Sequence, residues 1–144
     1  MPLVQHLLAK SRVAVDLDLE AGSDVAMNHT ELQQVLINLM VNAVQAMPEG
    51  GRLTLRTRRD TVDDRPMVRI SARDTGSGMS PEVLGRIFDP FFTTKRSEGT
   101  GLGLSISRNL VTRGGGTISA ESEPGKGTEF TILLPVFDPG GQAL

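Results

Sequence analysis

The sequence has no cysteine, no tryptophan and no tyrosine among its 144 residues, and five phenylalanines are its only aromatic side chains. Without cysteine, the chain can form no disulfide bond and no thiolate metal site, and it has no cysteine nucleophile. Because it has only two histidines, it also lacks the ligands of a structural zinc site. The hydrophobic core must therefore be aliphatic, and the absence of cysteine fits a reducing compartment such as the cytoplasm.

The chain also lacks an excess of either charge and any long apolar run. Its formal net charge is -2, so the electrostatic signature of a nucleic-acid-binding protein is missing. No segment is apolar over the length needed to cross a bilayer, and no signal-peptide pattern is present. The composition predicts one domain over residues 1–137 and a flexible tail over 138–144. We expect this domain to be monomeric in isolation and to make no membrane contact.

Hydrophobic periodicity divides the chain into helices and strands. Helices are predicted over 3–9, 30–47, 81–87 and 102–111, and strands over 13–20, around 53–55, and over 67–73, 117–121 and 128–134. The second and third strands form a hairpin around a polar turn at 60–66, and Thr30 with Gln33 resembles a capping box. The fold class is therefore α/β (α+β), a two-layer sandwich. Its sheet is mixed and mostly antiparallel, with about five strands and three helices on one face.

One helix carries an unusual polar stripe beside its apolar face. At 100° per residue, Glu31, Gln34, Asn38, Asn42 and Gln45 fall on the same side. A solvated helix face is one interpretation, but asparagine is a poor helix former and serves little purpose there. Two asparagines one turn apart can instead offer carbonyl oxygens to a hard cation such as Mg²⁺.

Asp74 ends a predicted strand and leads directly into Gly76 and Gly78. A carboxylate in this place can accept a hydrogen bond from an exocyclic amino group such as that of adenine. The glycines let the backbone approach a planar ligand closely. A turn with a capping aspartate explains the same residues, so this segment leaves both interpretations open.

A glycine-rich segment, Gly99–Gly103, precedes a predicted helix. Free N–H groups at a helix N-terminus favour phosphate. The segment has neither the lysine of a P-loop nor the preceding strand of a dinucleotide fingerprint, and a flexible linker would look similar. Phe88, Phe91 and Phe92 suit a small core that anchors a mobile loop over nucleotide, with Thr93–Lys95 available to meet phosphate.

In order, the segments Asn38–Ala43, Asp74–Met79, Ile87–Lys95 and Gly99–Ser105 resemble the ATP-binding catalytic domain of sensor histidine kinases. That domain belongs to a superfamily (GHKL) with gyrase, MutL and a heat-shock chaperone family. The resemblance covers nearly the whole chain and is greatest to the nitrogen-regulation and oxygen-sensing branch of these kinases.

The resemblance implies ATP and Mg²⁺ as ligands and assigns a role to each matching residue. Catalytic roles fall to Asn38, Arg86 and Lys95, and metal binding falls to Asn42 with Asn38. Nucleotide binding is implied for Asn42, Gln45, Asp74, Gly76, Gly78, Phe92, Thr94, Gly99, Thr100, Gly101, Leu102, Gly103, Leu104 and Thr128. The chain departs from the family at Gln45, where many members have a phosphate-contacting lysine, and at Gly114, where a histidine is frequent.

The implied reaction is transfer of the γ-phosphoryl group of ATP to a histidine on a separate dimerisation and phosphoacceptor domain, and from there to a response regulator. ATP-hydrolysing relatives have a glutamate at the position of Asn38, and an amide cannot act as that general base, so we expect slow hydrolysis. Neither His6 nor His29 has the setting of an acceptor histidine. A serine kinase or ATPase of the anti-sigma type and a nucleotide-binding module without catalysis are the alternatives.

Overall fold

The computed structural model describes residues 13–19, 25, 27–90 and 103–136. Its elements are β1 (Val13–Leu19), α1 (His29–Gln45), β2 (Gly51–Val62), β3 (Arg65–Asp74), α2 (Pro81–Leu84), α3 (Gly103–Arg113), β4 (Thr117–Glu123) and β5 (Gly127–Pro135). The predicted helix over 3–9, the tail 138–144 and most of the loop 89–101 lie outside the described residues. Within the described ranges, no helix is long and apolar enough to cross a membrane.

The five strands form one sheet in the order β1-β2-β3-β5-β4. β1 pairs with β2 in parallel, and the other neighbouring strands are antiparallel. The parallel pair is possible because α1 carries the chain back across the sheet between these two strands. The predicted mixed, mostly antiparallel sheet of about five strands is confirmed.

The hairpin between β2 and β3 is tighter than predicted. Both strands extend into the predicted turn at 60–66, and only Asp63 and Asp64 connect them. These two residues have positive φ angles of 51° and 63°. A two-residue turn with both φ angles positive matches the twist of antiparallel strands, and aspartate tolerates this conformation better than most residues. The polar run therefore belongs mostly to the strands.

The core lies between one face of the sheet and the helices. Leu53, Ile132 and Leu134 of the sheet are fully buried against Val35 of α1 and Val111 of α3. Other buried members of this cluster are Met27, Leu39, Met40, Ala43, Met47, Val68, Ile70, Ala72, Ile87 and Phe130. The expected aliphatic core is therefore present, with Phe130 its one buried aromatic among the described residues.

Phe88 joins this main core instead of starting a separate small one. Its ring meets that of Phe130 edge to face, with the ring centroids 6.4 Å apart. Phe91 and Phe92 lie outside the described residues. The segment before the loop is thus attached to the centre of the sheet through an aromatic pair.

Helix α1 begins one residue earlier than predicted, at His29, and its cap is Asn28. The Asn28 side chain accepts hydrogen bonds from the N–H groups of Thr30 (2.8 Å) and Glu31 (3.1 Å). The predicted capping box at Thr30 is therefore wrong, because Thr30 already lies in the first turn. Helix α2 is also shorter than predicted, ending at Leu84, whereas α3 continues to Arg113.

Charged residues lie on the opposite face of the sheet. Arg58 pairs with Asp18 and Arg69 pairs with Asp60, each at 2.6 Å, and Arg52 pairs with Asp16. The hydrogen bond from Arg58 lowers the pKa of Asp18, and the one from Arg69 lowers the pKa of Asp60. At the edge of the sheet Leu17 is 63% exposed, so the predicted half-buried face of β1 does not extend to this residue.

The cap of α1 can be tested by replacing Asn28 with alanine. The change leaves two N–H groups of the first turn without their acceptor, and we expect it to lower the free energy of unfolding by about 1 kcal/mol. Urea denaturation measures the effect. Asn28→Ser, which restores an acceptor oxygen, should recover most of the loss. Equal stability of the alanine variant and the wild type would contradict the assigned cap.

Candidate functional site

Asp74, the last residue of β3, is the central buried polar group and is only 2% exposed. Its Oδ1 accepts hydrogen bonds from the N–H groups of Gly76 (2.9 Å) and Thr128 (3.2 Å). Burial raises the pKa of Asp74 above its usual value, although both N–H donors act in the opposite direction. No hydrogen bond reaches Oδ2 from the described part of the chain. Because every fully buried side-chain oxygen in that part has a partner, Oδ2 is not fully buried, and it is open to a ligand.

The loop that follows Asp74 is held on both sides by backbone hydrogen bonds. Ser77 donates to the carbonyl oxygen of Ala46 at the end of α1 (3.1 Å), and its own carbonyl accepts from Gly125 in the β4–β5 turn (2.7 Å). The Thr75 hydroxyl accepts from the N–H of Arg52 (3.0 Å). The loop is therefore fixed between the end of α1 and the β4–β5 hairpin.

Three glycines allow these segments to approach one another. A Cβ on Gly76 would lie 2.5 Å from the carbonyl oxygen of Ala46, and one on Gly78 would lie 1.9 Å from that of Glu123. A Cβ on Gly127 would lie 2.1 Å from the carbonyl oxygen of Asp74. Larger side chains would force the three segments apart. The glycines at 76 and 78 thus shape the surroundings of Asp74, and Gly127 contributes in a way that sequence reasoning missed.

Ser122 on β4 is a second residue that the sequence did not reveal. Its hydroxyl accepts a hydrogen bond from the N–H of Met79 (2.8 Å) and contacts the Thr128 hydroxyl (2.8 Å). Ser122 faces Thr128 in the strand register. The two hydroxyls meet because of this register. No local motif marks Ser122, and only the pairing of β4 with β5 could have indicated its role.

The amide of Asn38 joins α1 to the start of α3. Its Nδ2 donates to the carbonyl oxygen of Gly103 (3.2 Å) and to the hydroxyl of Ser107 (3.0 Å), and Ser107 in turn donates to the same carbonyl (2.8 Å). Its Oδ1 accepts from Gln34 (3.1 Å). Asn42, one turn further on, is half-buried, and its side chain has no hydrogen bond to the described part of the chain.

The predicted polar stripe of α1 divides among different partners. Glu31 forms an ion pair with Arg113 at 2.8 Å, whereas Asn38 contacts Gly103 at the other end of α3. The two helices therefore run antiparallel, and two polar residues of the stripe fix how they align. Gln45 ends the stripe, half-buried at the last position of α1.

The remaining predicted site residues fall into two groups. Arg86 is exposed on the turn after α2 and pairs with Asp89 at 3.7 Å, while Leu104 packs against the core at the start of α3. Phe92, Thr94, Lys95, Gly99, Thr100, Gly101 and Leu102 lie outside the described residues. Among the described residues, no group of three or more histidine or acidic side chains could hold a metal ion.

A family model described as "Histidine kinase-, DNA gyrase B-, and HSP90-like ATPase" matches residues 27–138. The chain belongs to this ATPase family. The matched range contains every described residue that the sequence assigned to the site, from Asn38 to Thr128. The predicted family is thereby confirmed, while the narrower resemblance to the nitrogen-regulation and oxygen-sensing branch stays a prediction.

Sensor kinases are similar in sequence to this ATPase domain. Sensor kinase CckA of Brucella abortus (strain 2308) is 42% identical in an alignment 148 residues long, which covers 92% of this chain and 15% of CckA. ZraS of Klebsiella oxytoca is 50% identical over 105 residues, 73% of this chain and 22% of ZraS. AtoS of Escherichia coli (strain K12) is 38% identical over 144 residues, 99% of this chain and 23% of AtoS. The chain thus spans less than a quarter of these relatives.

Solved structures agree with the fold. The catalytic domain of histidine kinase ThkA matches with a TM-score of 0.78 and 33% identity, covering 94% of this chain and 86% of that one. Full-length ShkA in complex with AMPPNP matches with a TM-score of 0.79 and 28% identity, covering 99% of this chain and 29% of that one. The chain is therefore a histidine-kinase-type catalytic ATPase domain, as predicted.

The close approach at Gly127 can be tested against a matched glycine. Gly125 and Gly127 have φ angles of 79° and 89°, so alanine causes similar backbone strain at both. Only at position 127 does the new Cβ meet a carbonyl oxygen, because nothing lies within 4 Å at position 125. We expect Gly127→Ala to cost about 1–3 kcal/mol more than Gly125→Ala in urea denaturation. Equal losses would show that Asp74 and the hairpin are not in tight contact.

The buried carboxylate of Asp74 predicts that the stability of the domain depends on pH. Because its pKa is raised on folding, the ionised group opposes folding above that pKa, and this cost disappears as the pH falls below about 4. Asp74→Asn removes the charge but keeps an acceptor oxygen. We expect the variant to be more stable than the wild type at pH 7, with the difference shrinking towards pH 4, as measured by urea denaturation. Lower stability at pH 7 would show that the fold requires the charge.

Proposed function

We propose that this domain binds Mg-ATP and donates the γ-phosphoryl group to a histidine on a separate dimerisation and phosphoacceptor domain. The observation that carries the proposal is the buried Asp74, with one oxygen held by the protein and the other left open. An arrangement of this kind is suited to reading one hydrogen-bond donor on a ligand.

Adenine supplies that donor. Asp74 Oδ1 is fixed by two N–H groups, so the carboxylate cannot turn away, and Oδ2 can accept one hydrogen of the exocyclic amino group. A charged acceptor makes a stronger hydrogen bond than a neutral one, especially where water is excluded. Gly76 and Gly78 let the loop after this carboxylate pack closely against Ala46 and Glu123.

The side chains of α1 fit an Mg²⁺ ion that is bound together with phosphate. Mg²⁺ needs few protein ligands because it keeps water and phosphate oxygens, which agrees with the lack of a carboxylate cluster in the described residues. Asn42 would be the main ligand, since no described residue occupies its amide oxygen. Asn38 would assist through the lone pair that Gln34 leaves free. When bound, the ion neutralises phosphate charge.

The start of α3 is the part of the domain best suited to the phosphates. Its first N–H groups have no partner inside the helix, and the helix dipole favours an anion there. Asn38 holds this end of α3 in place through Gly103 and Ser107. Arg86 and Lys95 are the proposed cations for the γ-phosphate, because Gln45 supplies no charge.

The same residues favour transfer over hydrolysis. Asn38 cannot remove a proton from water, and its amide already contacts three groups. The nearest carboxylate on α1, Glu31, forms an ion pair with Arg113. The domain thus lacks a general base on α1 next to the proposed metal ligand, and slow hydrolysis preserves ATP for the histidine acceptor.

The acceptor histidine is proposed to lie on another domain. His29 is the exposed first residue of α1 and belongs to a helix terminus, and His6 lies outside the described residues. A response regulator would take the phosphoryl group from the acceptor domain. We place this ATPase domain in the cytoplasm, as a monomer when isolated.

Calorimetric titration with ATP, with and without Mg²⁺, tests the proposed ligands. We expect Mg²⁺ to strengthen ATP binding, and Asn42→Ala to reduce that enhancement by about tenfold or more. Gln33→Ala, which removes an exposed amide from the same helix, should leave it unchanged. Equal binding with and without Mg²⁺ in the wild type would contradict the metal site.

Incubation of the same proteins with γ-labelled ATP tests the reaction. The label should appear as acid-labile phosphate on an added phosphoacceptor domain and not on this chain, with little free phosphate released. Stable labelling of this chain, or rapid hydrolysis that Asp74→Asn abolishes, would overturn the proposed transfer.

A further inference from the structure

We propose that Ser122 is a positioning residue for nucleotide recognition, whose hydroxyl holds the Asp74 loop and Thr128 in the arrangement that reads the base. This inference rests on the proposed binding of ATP through Asp74. Ser122 lies on β4 and Asp74 on β3, with β5 between them, so Ser122 acts on Asp74 through Met79, Gly127 and Thr128.

The Ser122 hydroxyl contacts three groups from two segments. It accepts a hydrogen bond from the N–H of Met79 at 2.8 Å, and it donates to the carbonyl oxygen of Gly127 at 3.0 Å. Its third neighbour is the hydroxyl of Thr128, at 2.8 Å. One side chain thus connects the end of the Asp74 loop to the start of β5.

The number of available protons determines which hydroxyl donates in the hydrogen bond between Ser122 and Thr128. A serine hydroxyl has one proton and two lone pairs. The carbonyl oxygen of Gly127 can only accept, so the proton of Ser122 is used there. Thr128 must then donate to Ser122, which fills the second lone pair. This arrangement makes all three hydrogen bonds, whereas the reverse direction would leave the contact with Gly127 unbonded.

The Thr128 hydroxyl is therefore held as an acceptor. Its proton is directed at Ser122, so its oxygen can accept a hydrogen bond from the ligand side, directly or through water. The N–H of Thr128 meanwhile donates to Asp74 Oδ1. Asp74 Oδ2 and Thr128 Oγ1 would then offer two acceptor oxygens to a ligand, which suits the amino group of adenine.

The placement of Ser122 on β4 agrees with a specific role. The inward face of this strand carries Ile118 and Ala120, both of which pack against the hydrophobic core. Ser122 is the next inward residue, opposite Thr128. Ser119 lies on the outward face of the same strand and is exposed, so it offers a matched control.

The test compares binding of ATP with binding of purine riboside triphosphate, which lacks the 6-amino group. Calorimetry of the wild type should show a preference for ATP. We expect Ser122→Ala to weaken ATP binding by about threefold to tenfold, on the scale of one lost hydrogen bond. Binding of the analogue should change little, so the preference decreases. Ser122→Thr should restore the preference, and Ser119→Ala should match the wild type.

The pattern across the two nucleotides separates positioning from general support of the fold. Equal weakening of ATP and analogue binding by Ser122→Ala would reduce Ser122 to a structural residue and overturn the inference. The inference would also be overturned if Ser122→Ala preferred ATP as strongly as the control variant Ser119→Ala does. If Ser122→Ala does not fold, Thr128→Val decides, because it removes the hydroxyl that Ser122 orients, and an unchanged preference would again overturn the inference.

Failure of the proposed function gives a different result. If the wild type does not prefer ATP, or if Asp74→Asn leaves the preference intact, Asp74 does not read the amino group and both proposals fall together. A preference that Asp74→Asn abolishes and Ser122→Ala preserves would overturn only the role of Ser122.

Discussion

The contact between the end of β3 and the start of β5 determines the rest of the site. Gly127 brings its backbone against the carbonyl of Asp74, and the next N–H, from Thr128, then reaches the Asp74 carboxylate. This contact keeps an ionisable group inside the core although burial disfavours its charge. A buried carboxylate that is only partly satisfied is a costly feature, and such groups concentrate at sites of function.

Helix α1 connects the two ends of the proposed nucleotide site. The carbonyl of Ala46, at its C-terminal end, accepts from the Asp74 loop, and Asn38 in its middle contacts the first turn of α3. Glu31 fixes the far end of the same helix pair. A shift of α1 along its axis would therefore disturb both ends together, so in the proposed complex this helix would set the distance between the sites for the base and for the phosphates.

Features with a local signal could be predicted from the sequence, and features that depend on pairing could not. The periodicity predicted most of the helices and strands, and the position of Asp74 before two glycines made it a candidate for the central carboxylate. The choice of Asn28 over Thr30 as a cap depends on where the chain turns into α1. The partners of Asn38 lie 65 and 69 residues away, and Ser122 gains its role only from the register of β4 and β5. Such contacts are decided by tertiary packing.

The two faces of the sheet respond to protons in opposite ways. On the face opposite the core, arginine partners lower the pKa values of Asp18 and Asp60, so their contribution to stability is lost as the pH falls from about 4 through these lowered pKa values. On the core face, burial raises the pKa of Asp74, so this carboxylate is protonated at a higher pH than Asp18 and Asp60. Acidification would therefore neutralise Asp74 while the ion pairs of Asp18 and Asp60 are still charged, so the proposed hydrogen bond to the base would weaken before those ion pairs do.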